Sequence, residues 1–243
     1  MFTTIAIIGT GNIGSWLIKI LQNQNNISVV SLSGREAGDM PNHYDLYIFA
    51  LKDDIYEDIL KQIPFKMSRA VHTSGSLSQN ILAPYSEKFG VLYPYQTITS
   101  NNEIRKSDDF PLVPLCIEGC DFEFEEILYQ WASSLFSSVY KISEKQRFAM
   151  HLAAVFANNF TNAMYGIAYQ IFKENCLEWS LIFPLLEHTL EKAMKNKPSL
   201  VQTGPAKRND VSIMQKHFDA LNDEELRKLY STLSTIIQRS TYI

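Results

Sequence analysis

The sequence predicts an α/β fold: a doubly wound parallel sheet of the Rossmann type, followed by an all-helical domain. Three observations lead to this prediction. A glycine-rich turn, Gly9–Gly14, follows the first apolar run and opens a helix. Short β-branched or aromatic runs then alternate with helical stretches over residues 1–142, as is typical of parallel sheets covered on both faces. From Ser143 onward no run resembles a strand, so we place a second domain at residues 143–243.

The predicted strands are short and apolar, as expected for strands that are buried on both faces. They are Thr4–Ile8, Ser28–Leu32, Leu46–Ala50, Ala70–His72, Gly90–Tyr93, Leu112–Ile117 and Ser138–Lys141. The stretches between several of them have apolar residues at helical spacing. Helices are therefore predicted at Gly14–Asn23, Asp54–Gln62 and Phe122–Phe136.

The second domain begins with a long predicted helix. Ser143 and Gln146 form a capping box, which is a common helix start. Apolar residues then recur at helical spacing for about 30 residues. A helix with so much apolar surface must be covered by other helices or by another subunit. Further helices are predicted at Ser180–Lys195, Val211–Leu221 and Asp223–Arg239.

Composition and charge restrict the class of protein. The 243 residues are 46% apolar and 20% charged, with a formal net charge of -4. We therefore expect a soluble globular protein that binds neither nucleic acid nor an anionic membrane. No segment has the form of a membrane span or a signal peptide, and the three cysteines lack the spacing of a metal site. These features predict a cytoplasmic protein without a bound metal.

The glycine-rich turn has the spacing of a dinucleotide fingerprint, Gly9-Thr10-Gly11-Asn12-Ile13-Gly14. Gly9 permits the tight turn, Gly11 lets the backbone approach a pyrophosphate, and Gly14 lets the helix pack on the sheet. The helix N-terminus favours the negative charge of the phosphates. Because the pattern follows a predicted strand and opens a helix, these six residues are predicted to bind a dinucleotide. Leu51, after the third strand, is included in the same predicted site.

The end of the second strand indicates which dinucleotide binds. An Asp or Glu at this place accepts hydrogen bonds from the ribose of NAD and repels the 2′-phosphate of NADP. This chain has Ser33 and Arg35, a hydroxyl and a guanidinium that both donate to phosphate. NADP is therefore the predicted cofactor. NAD stays open, because a shift of one residue in the strand end would bring the carboxylate of Glu36 closer to the ribose.

Candidate catalytic groups follow the fourth strand, because ligands of open α/β sheets bind outside the carboxyl ends of the strands. The segment HTSGS places His72 and Ser74 there, polar groups suited to hold a carboxylate or a carbonyl. Any surface loop can have this composition, so a purely structural role stays open for both. After the third strand, Asp53 or Asp54 is interpreted as a helix cap.

The long helix has four polar residues on an otherwise apolar surface, His151, Asn158, Asn159 and Asn162. In an α-helix Asn158 and Asn162 fall within about 20° of His151, and Asn159 about 80° away. Burial of these side chains without hydrogen-bond partners would cost about 1–3 kcal/mol for each group. We therefore expect them to form hydrogen bonds inside the protein or to face a water-filled cleft. Histidine is the usual proton donor near neutral pH. We interpret His151 as an acid or base and Asn159 as a substrate-orienting group; a histidine bonded within a helical core is the alternative.

Five segments together resemble a known family, namely GTGNIG, HTSGS, LYPYQT, HLAAVFANNF and TGPAKRND. The family is a group of bacterial proteins with a Rossmann-like domain and a helical domain. They are described as NADP oxidoreductases and are similar to deazaflavin-dependent NADP reductases. The similarity extends over nearly the whole chain. More distantly, the layout resembles ketopantoate reductase, pyrroline-5-carboxylate reductase and the β-hydroxyacid dehydrogenases. Relatives of this architecture pair through the helical domain, so the resemblance implies NADP, hydride transfer and a homodimer.

Two departures from the relatives bear on the mechanism. In the dehydrogenases, the first helix after the sheet domain offers a lysine, whereas this chain has His151 at the equivalent place and Asn159 two turns later. Tyr93-Pro94 stands where related proteins commonly read His-Pro, so no role for a histidine there can be transferred. The resemblance therefore implies the fold and the cofactor more directly than the reaction.

The sequence thus predicts an NADP-dependent oxidoreductase that acts on a small carbonyl, imine or hydroxy-acid-like substrate. Its predicted catalytic residues are His72, Ser74, His151 and Asn159. The alternative is a non-catalytic NADP-binding protein that presents a nucleotide-dependent surface to a partner, and the missing lysine favours it. Lys207 and Arg208 either reach an anionic substrate or the cofactor, or belong to a solvated turn.

Overall fold

The computed structural model of the protein describes residues 2–99, 106–107 and 110–239. The chain divides into two compact units, Met1–Thr161 and Asn162–Ile243. They are called the sheet unit and the helical unit below.

The division between the units lies later than the predicted one after residue 142, because the helix that follows is bonded to the sheet. The guanidinium of Arg147 lies 3.3 Å from the carboxylate of Glu118. The Tyr95 hydroxyl donates a hydrogen bond of 3.0 Å to the backbone carbonyl of Met150. The first turns of the long predicted helix therefore belong to the sheet unit.

The strands of the sheet unit form a seven-stranded sheet and a short hairpin. The described strands are β1 (Thr4–Ile8), β2 (Ser28–Leu32), β3 (Leu46–Phe49), β4 (Met67–His72), β5 (Ser86–Pro94), β6 (Lys106–Ser107), β7 (Phe110–Pro111), β8 (Leu115–Gly119) and β9 (Val139–Lys141). The order in the large sheet is β2-β1-β3-β4-β5-β8-β9, and β6 pairs with β7. Adjacent strands of the large sheet are parallel, except for β5 and β8, which are antiparallel to each other. The structure confirms the predicted Rossmann-type sheet and adds one antiparallel pair.

Alternate residues of the central strands enter two separate cores, one on each face of the sheet. In β1, Ile5 and Ile7 belong to one core, whereas Ala6 and Ile8 belong to the other. All four are fully buried. Successive strand residues point to opposite faces, so a strand that is apolar at every position requires cover on both faces. This explains why the strands are continuous apolar runs in the sequence.

The sheet unit has four described α-helices, and the first three cover these two faces. They are α1 (Asn12–Gln22), α2 (Tyr56–Leu60), α3 (Phe122–Ser133) and α4 (Glu144–Ala154), and a π-helical turn, Val155–Phe160, continues α4. α1 and α3 pack on one face through Leu17, Leu128 and Trp131. α2 packs on the other through Tyr56 and Leu60. The predicted capping box at the start of α4 is confirmed by both of its hydrogen bonds.

The helical unit continues from α5 (Thr161–Glu174) into α6 (Phe183–Lys195), α7 (Pro205–Arg208), α8 (Val211–Ala220) and α9 (Glu224–Gln238). Among its described residues Ala206 is the buried apolar one. Many large apolar side chains are half exposed or more, including Leu177, Leu181, Leu185, Leu190, Met194, Leu200 and Val211. The unit therefore has apolar surface that it does not bury itself. Every described helix falls short of the length and apolar character needed to cross a membrane.

Candidate functional site

The glycine-rich turn lies at the carboxyl edge of the sheet. Ile8, the last residue of β1, is level with Leu32 in β2 and Phe49 in β3. The Gly9 N–H donates to the carbonyl of Leu32, and the Ala50 N–H donates to the carbonyl of Ile8, both at 2.8 Å. The segments after the first three strands therefore meet at one place, as a dinucleotide site requires.

Two of the three fingerprint glycines are required by close packing. A Cβ atom at Gly9 would lie 2.2 Å from the carbonyl oxygen of Ala50, and the φ of Gly9 is +114°. A Cβ atom at Gly14 would lie 1.9 Å from the carbonyl oxygen of Gly9. Within the described part of the chain, a Cβ at Gly11 would meet no atom within 4 Å. Gly9 and Gly14 thus shape the turn, while the Gly11 backbone faces open space.

The open space lies at the start of α1. Gly11 is the N-cap of this helix and makes no side-chain capping hydrogen bond. The free N–H groups and the helix dipole at such an end attract anions. Leu51 lies beside the turn. Its Cδ2 atom is 3.2 Å from the place that a Cβ atom at Gly9 would occupy, and 3.7 Å from the corresponding place at Gly34. These features fit the pyrophosphate and adenosine half of a dinucleotide.

The end of β2 holds a carboxylate as well as the predicted donors. Ser33 caps the 3-10 helix Gly34–Asp39, and its hydroxyl and N–H donate to one oxygen of Glu36 at 2.6 and 2.7 Å. The hydrogen bond from the Ser33 hydroxyl, and then the one from its N–H, lower the pKa of the Glu36 carboxyl, which is therefore ionised at neutral pH. Arg35 is exposed beside it. The chain folds Glu36 back to the strand end without any shift in the strand.

His72 lies at the end of β4 with no exposed surface. Its Nδ1 accepts a hydrogen bond from the Ser74 N–H at 3.2 Å, and its Nε2 has no hydrogen-bond partner among the described residues. Burial, together with the nearby charge of Arg147, lowers the pKa of His72 to about 4. The ring is therefore neutral at physiological pH, and its position argues against contact with a substrate.

Ser74 and Asp53 also have structural contacts. The Ser74 hydroxyl oxygen accepts hydrogen bonds from the N–H groups of Ser76 and Leu77, at 3.1 and 3.0 Å. Asp53 accepts a hydrogen bond from the Ser76 hydroxyl. The helical turn that Asp53 begins has no side-chain cap, so the interpretation of Asp53 or Asp54 as a cap is wrong. The predicted catalytic role of Ser74 gains no support from this geometry, because its side chain is nearly buried within the loop.

A cavity of about 470 Å³ lies beside the end of β5. This volume is within the range of small-molecule sites. Its lining combines aromatic hydroxyls, a histidine and amides, and it consists of Tyr93, Tyr95, Gln96, Thr97, Ile98, His151, Ala154, Val155, Ala157, Asn158 and Asn159. The structure thus brings together His151 and Asn159 of the predicted catalytic set, and neither His72 nor Ser74 lines this cavity.

The π-helical turn Val155–Phe160 changes which asparagines face the cavity. The predicted angles assumed a regular α-helix, which places Asn162 near His151 and Asn159 to one side. A π turn has hydrogen bonds from residue i to i+5 and is wider, so it shifts the angular positions of the residues within and beyond it. Asn158 and Asn159 therefore both line the cavity. Asn162 belongs to the helical unit.

Four residues of this region, Tyr93, Tyr95, Asn158 and Arg147, were absent from the predicted catalytic set. Tyr93 and Tyr95 line the cavity, and Asn158 donates a hydrogen bond to the Thr97 hydroxyl. The segment LYPYQT contains both tyrosines and follows a predicted strand, which is the signal that identifies them.

Arg147 is fully buried and donates to the carbonyls of Ser74 and Leu77 at 3.0 and 2.8 Å. No local pattern marks Arg147.

Lys207 and Arg208 lie on the short helix α7, and both side chains are exposed. The helix begins after Gly204, whose φ of +105° suits glycine, and ends at Asn209 in the left-handed region. The TGPAKRND segment is thus an ordered turn within the helical unit. Its predicted contact with an anionic substrate or the cofactor stays a prediction.

Comparisons with known proteins agree with this description. A family model described as a domain of unknown function, DUF2520, matches residues 113–237. A putative NADP oxidoreductase from Bacteroides fragilis is 31% identical, with a TM-score of 0.87 and 98% of each chain covered. A protein from Thermotoga maritima is 18% identical, with a TM-score of 0.69 and 97% of each chain covered. A 1-pyrroline-5-carboxylate reductase from Streptococcus pyogenes has 15% identity, a TM-score of 0.59 and coverages of 99% and 98%. No curated protein matches the chain.

Proposed function

The chain belongs to the family that shares the domain of unknown function DUF2520, and on that premise we propose that it is an NADP-dependent oxidoreductase. It transfers a hydride between the nicotinamide and a small carbonyl, imine or hydroxy-acid-like substrate. One observation carries the proposal: the open turn at Gly11 and the cavity around His151 both lie in the sheet unit, at the carboxyl edge of its parallel strands. The name of the Bacteroides fragilis relative supports the same activity.

The spacing of the strands supports a single elongated ligand along this edge. The strand with the fingerprint, β1, is separated from β5 by β3 and β4. At about 4.8 Å per strand, β1 and β5 are about 14 Å apart. A dinucleotide whose pyrophosphate binds at α1 thus extends along the edge toward the cavity beside β5. The nicotinamide supplies the hydride chemistry when it is bound.

The side chains of the cavity supply proton transfer and orientation. His151 gives or accepts the proton at the substrate oxygen or nitrogen, which is the usual role of a histidine in acid–base catalysis. Asn158 and Asn159 each offer an amide donor and an amide acceptor, which suit a carbonyl or hydroxyl group. The half-buried position of His151 lets it contact both the protein and a ligand.

Replacement of His151 tests the catalytic part of the proposal. His151→Ala is expected to lower turnover by about 10²–10⁴-fold, while NADPH affinity changes little, because His151 lies away from the fingerprint. Turnover is measured as NADPH oxidation with a panel of small carbonyl and imine compounds and oxidised deazaflavin. His43→Ala, at an exposed histidine of the sheet unit, is the matched control.

Two results would contradict the catalytic assignment. Full turnover by His151→Ala would remove His151 from the mechanism. Tight NADPH binding without oxidation by any compound of the panel would favour the non-catalytic alternative, in which the bound nucleotide changes a surface that a partner recognises.

The choice of NADP is supported by the exposed guanidinium of Arg35, and Glu36 opposes it. A 2′-phosphate would take the hydrogen bond of the Ser33 hydroxyl in place of the ionised Glu36, and the two anions repel each other. Arg35→Ala is therefore expected to weaken NADPH binding by about 10- to 100-fold, while NADH binding changes little. Glu36→Gln should strengthen NADPH binding, because it removes the repulsion. Both are measured by calorimetry.

Arg69→Ala removes the same side chain from β4 on the amino-terminal side of the sheet and should leave both affinities unchanged. If Arg35→Ala leaves NADPH binding intact while Glu36→Gln weakens NADH binding, the cofactor is NAD and Glu36 binds the ribose.

We also propose that two copies of the chain pair through their helical units. The helical unit buries few of its large apolar side chains, and α6 alone exposes Leu185, Leu190 and Met194. Homodimer interfaces resemble a domain core that has been cut in half. A unit of about 80 residues needs a buried core to be stable, and a second copy supplies the matching half.

A further inference from the structure

Tyr93 makes a specific contact with His151. Its hydroxyl oxygen lies 3.0 Å from Nδ1 of His151, and the two rings meet edge to face with centroids 6.1 Å apart. Tyr93 is on β5, where it is level with Cys116 of β8, and it is 8% exposed. The tyrosine is therefore held by the sheet, whereas the histidine comes from α4.

From this contact we infer that Tyr93 is a positioning residue that donates its hydroxyl proton to Nδ1 of His151, so that the neutral imidazole carries its own proton on Nε2, toward the cavity. The inference rests on the proposed role of His151 in the reaction. It adds the direction of that role: in reduction of the substrate, the Nε2–H donates to the substrate oxygen or nitrogen. As this proton passes to the substrate, Nδ1 takes up the hydroxyl proton of Tyr93, so the imidazole stays neutral, and solvent returns a proton to the phenolate.

The direction of the hydrogen bond follows from the state of the phenol. Burial raises the pKa of Tyr93 to about 12, so its hydroxyl is protonated at neutral pH. A neutral imidazole has one N–H and one acceptor nitrogen. In the part of the chain that the structure describes, His151 is the hydrogen-bond partner of the Tyr93 hydroxyl. Donation to Nδ1 satisfies this nearly buried O–H, whereas the reverse arrangement would leave it without an acceptor among the described residues, at a cost of about 1–3 kcal/mol.

The loop after β4 fixes the ring from another side. A Cβ atom at Gly75 would lie 2.6 Å from Nδ1 of His151 and 3.0 Å from Cε2 of Tyr93. Arg147, one turn earlier on α4, holds this loop through its hydrogen bonds to two loop carbonyls. The Nδ1 side of the imidazole is thus enclosed by sheet and loop, and the Nε2 side is the one left to face the cavity.

The experiment reads the position of the proton directly. Long-range proton–nitrogen correlation spectra of the protein are recorded in alkaline buffer, where the histidine rings are neutral. We expect His151 to carry its proton on Nε2, with the Nδ1 resonance at the position of a nitrogen that accepts a hydrogen bond. In Tyr93→Phe the Nδ1 resonance should move to that of a free acceptor. In Tyr95→Phe, which removes a hydroxyl of the same cavity that donates to Met150, it should not move.

Turnover gives a second, independent readout. Tyr93→Phe should lower kcat by about 10- to 100-fold through loss of orientation and leave the KM for NADPH unchanged, and Tyr95→Phe should have a smaller effect on kcat. A proton on Nδ1 in the wild-type spectrum would overturn the inference, even if Tyr93→Phe is unstable. If Nε2 carries the proton but His151→Ala retains turnover, the positioning by Tyr93 stands and the proposed function fails.

Discussion

The sheet unit and the helical unit differ in how they bury apolar side chains. The sheet unit places two continuous cores on the faces of its sheet, with Ile5, Ile7 and Ile48 among its fully buried residues. In the described part of the helical unit, Ala206 and Ser234 are the buried residues. Both units have well-formed secondary structure. Well-formed helices therefore do not by themselves make a stable domain, because most helical stability comes from packing of the apolar face.

The residues of the proposed reaction and those of the proposed dimer contact lie in different units. The fingerprint turn, the cavity and the His151–Tyr93 contact all lie within the sheet unit. The exposed apolar helices lie in the other unit. We therefore expect substitutions in the sheet unit to act within one chain, and substitutions on the exposed helices to act between chains.

The largest expected effect comes from charges on the exposed face of α6 that Leu190 and Met194 share, four residues apart. Leu190→Glu combined with Met194→Glu should separate the proposed dimer, at a cost of about 4 kcal/mol or more for the four buried charges. On a free surface, the same changes would alter stability by only about 0.5 kcal/mol each. Sedimentation velocity over a range of protein concentrations measures the dimer directly.

Ile7→Ala is the matched change in the sheet unit. It removes apolar atoms from a complete core, so it should cost about 2–5 kcal/mol without changing the concentration at which the dimer forms. The distinction between the units fails if the wild-type protein sediments as a monomer at micromolar concentration, or if the double variant remains a dimer.

A smaller effect is expected from pH, through His72 in the sheet unit. The folded pKa of about 4 lies below the ordinary value, so only the unfolded chain takes up a proton as the pH falls through about 6.5. The contribution of His72 is complete above that pH and is lost progressively between about pH 6.5 and 4. The loss amounts to at most about 3 kcal/mol. Urea denaturation at a series of pH values measures it.

His72→Gln should flatten the pH dependence in this window, because glutamine does not titrate and retains an acceptor for the Ser74 N–H. The exposed residue His43 provides the control, and His43→Gln should keep the wild-type slope. An unchanged slope in His72→Gln would mean that the buried ring does not hold a lowered pKa.

Much of the fold could be predicted because its signals are local. β1 and β2 begin and end at the predicted residues, since each is a short run of residues with strand propensity bounded by polar residues or glycine. The start of α4 was predicted because Ser143 and Gln146 are three residues apart and bond each other. The boundary between the units was predicted too early, because the contacts of α4 with the sheet join residues far apart in the chain.

The candidate site could be predicted only in part, for the same reason. The fingerprint is a local pattern, and the structure places Gly9, Gly11 and Gly14 as their spacing requires. The pair of Tyr93 and His151 is separated by 58 residues, and it exists only after β5 and α4 have packed together. The burial of His72 likewise depends on neighbouring strands, so a polar residue at a strand end was mistaken for an accessible one.

Because of the π-helical turn at Val155–Phe160, the lining of the cavity depends on the number of residues in this turn as well as on their identity. A regular helix advances by 100° per residue, so deletion of Ala157 would restore α-helical phase and rotate every later side chain by about that angle. The pair of amides at Asn158 and Asn159 would then no longer face the cavity together. An insertion or deletion of a single residue here would thus change which side chains line the cavity while leaving the strands of the sheet unit unchanged.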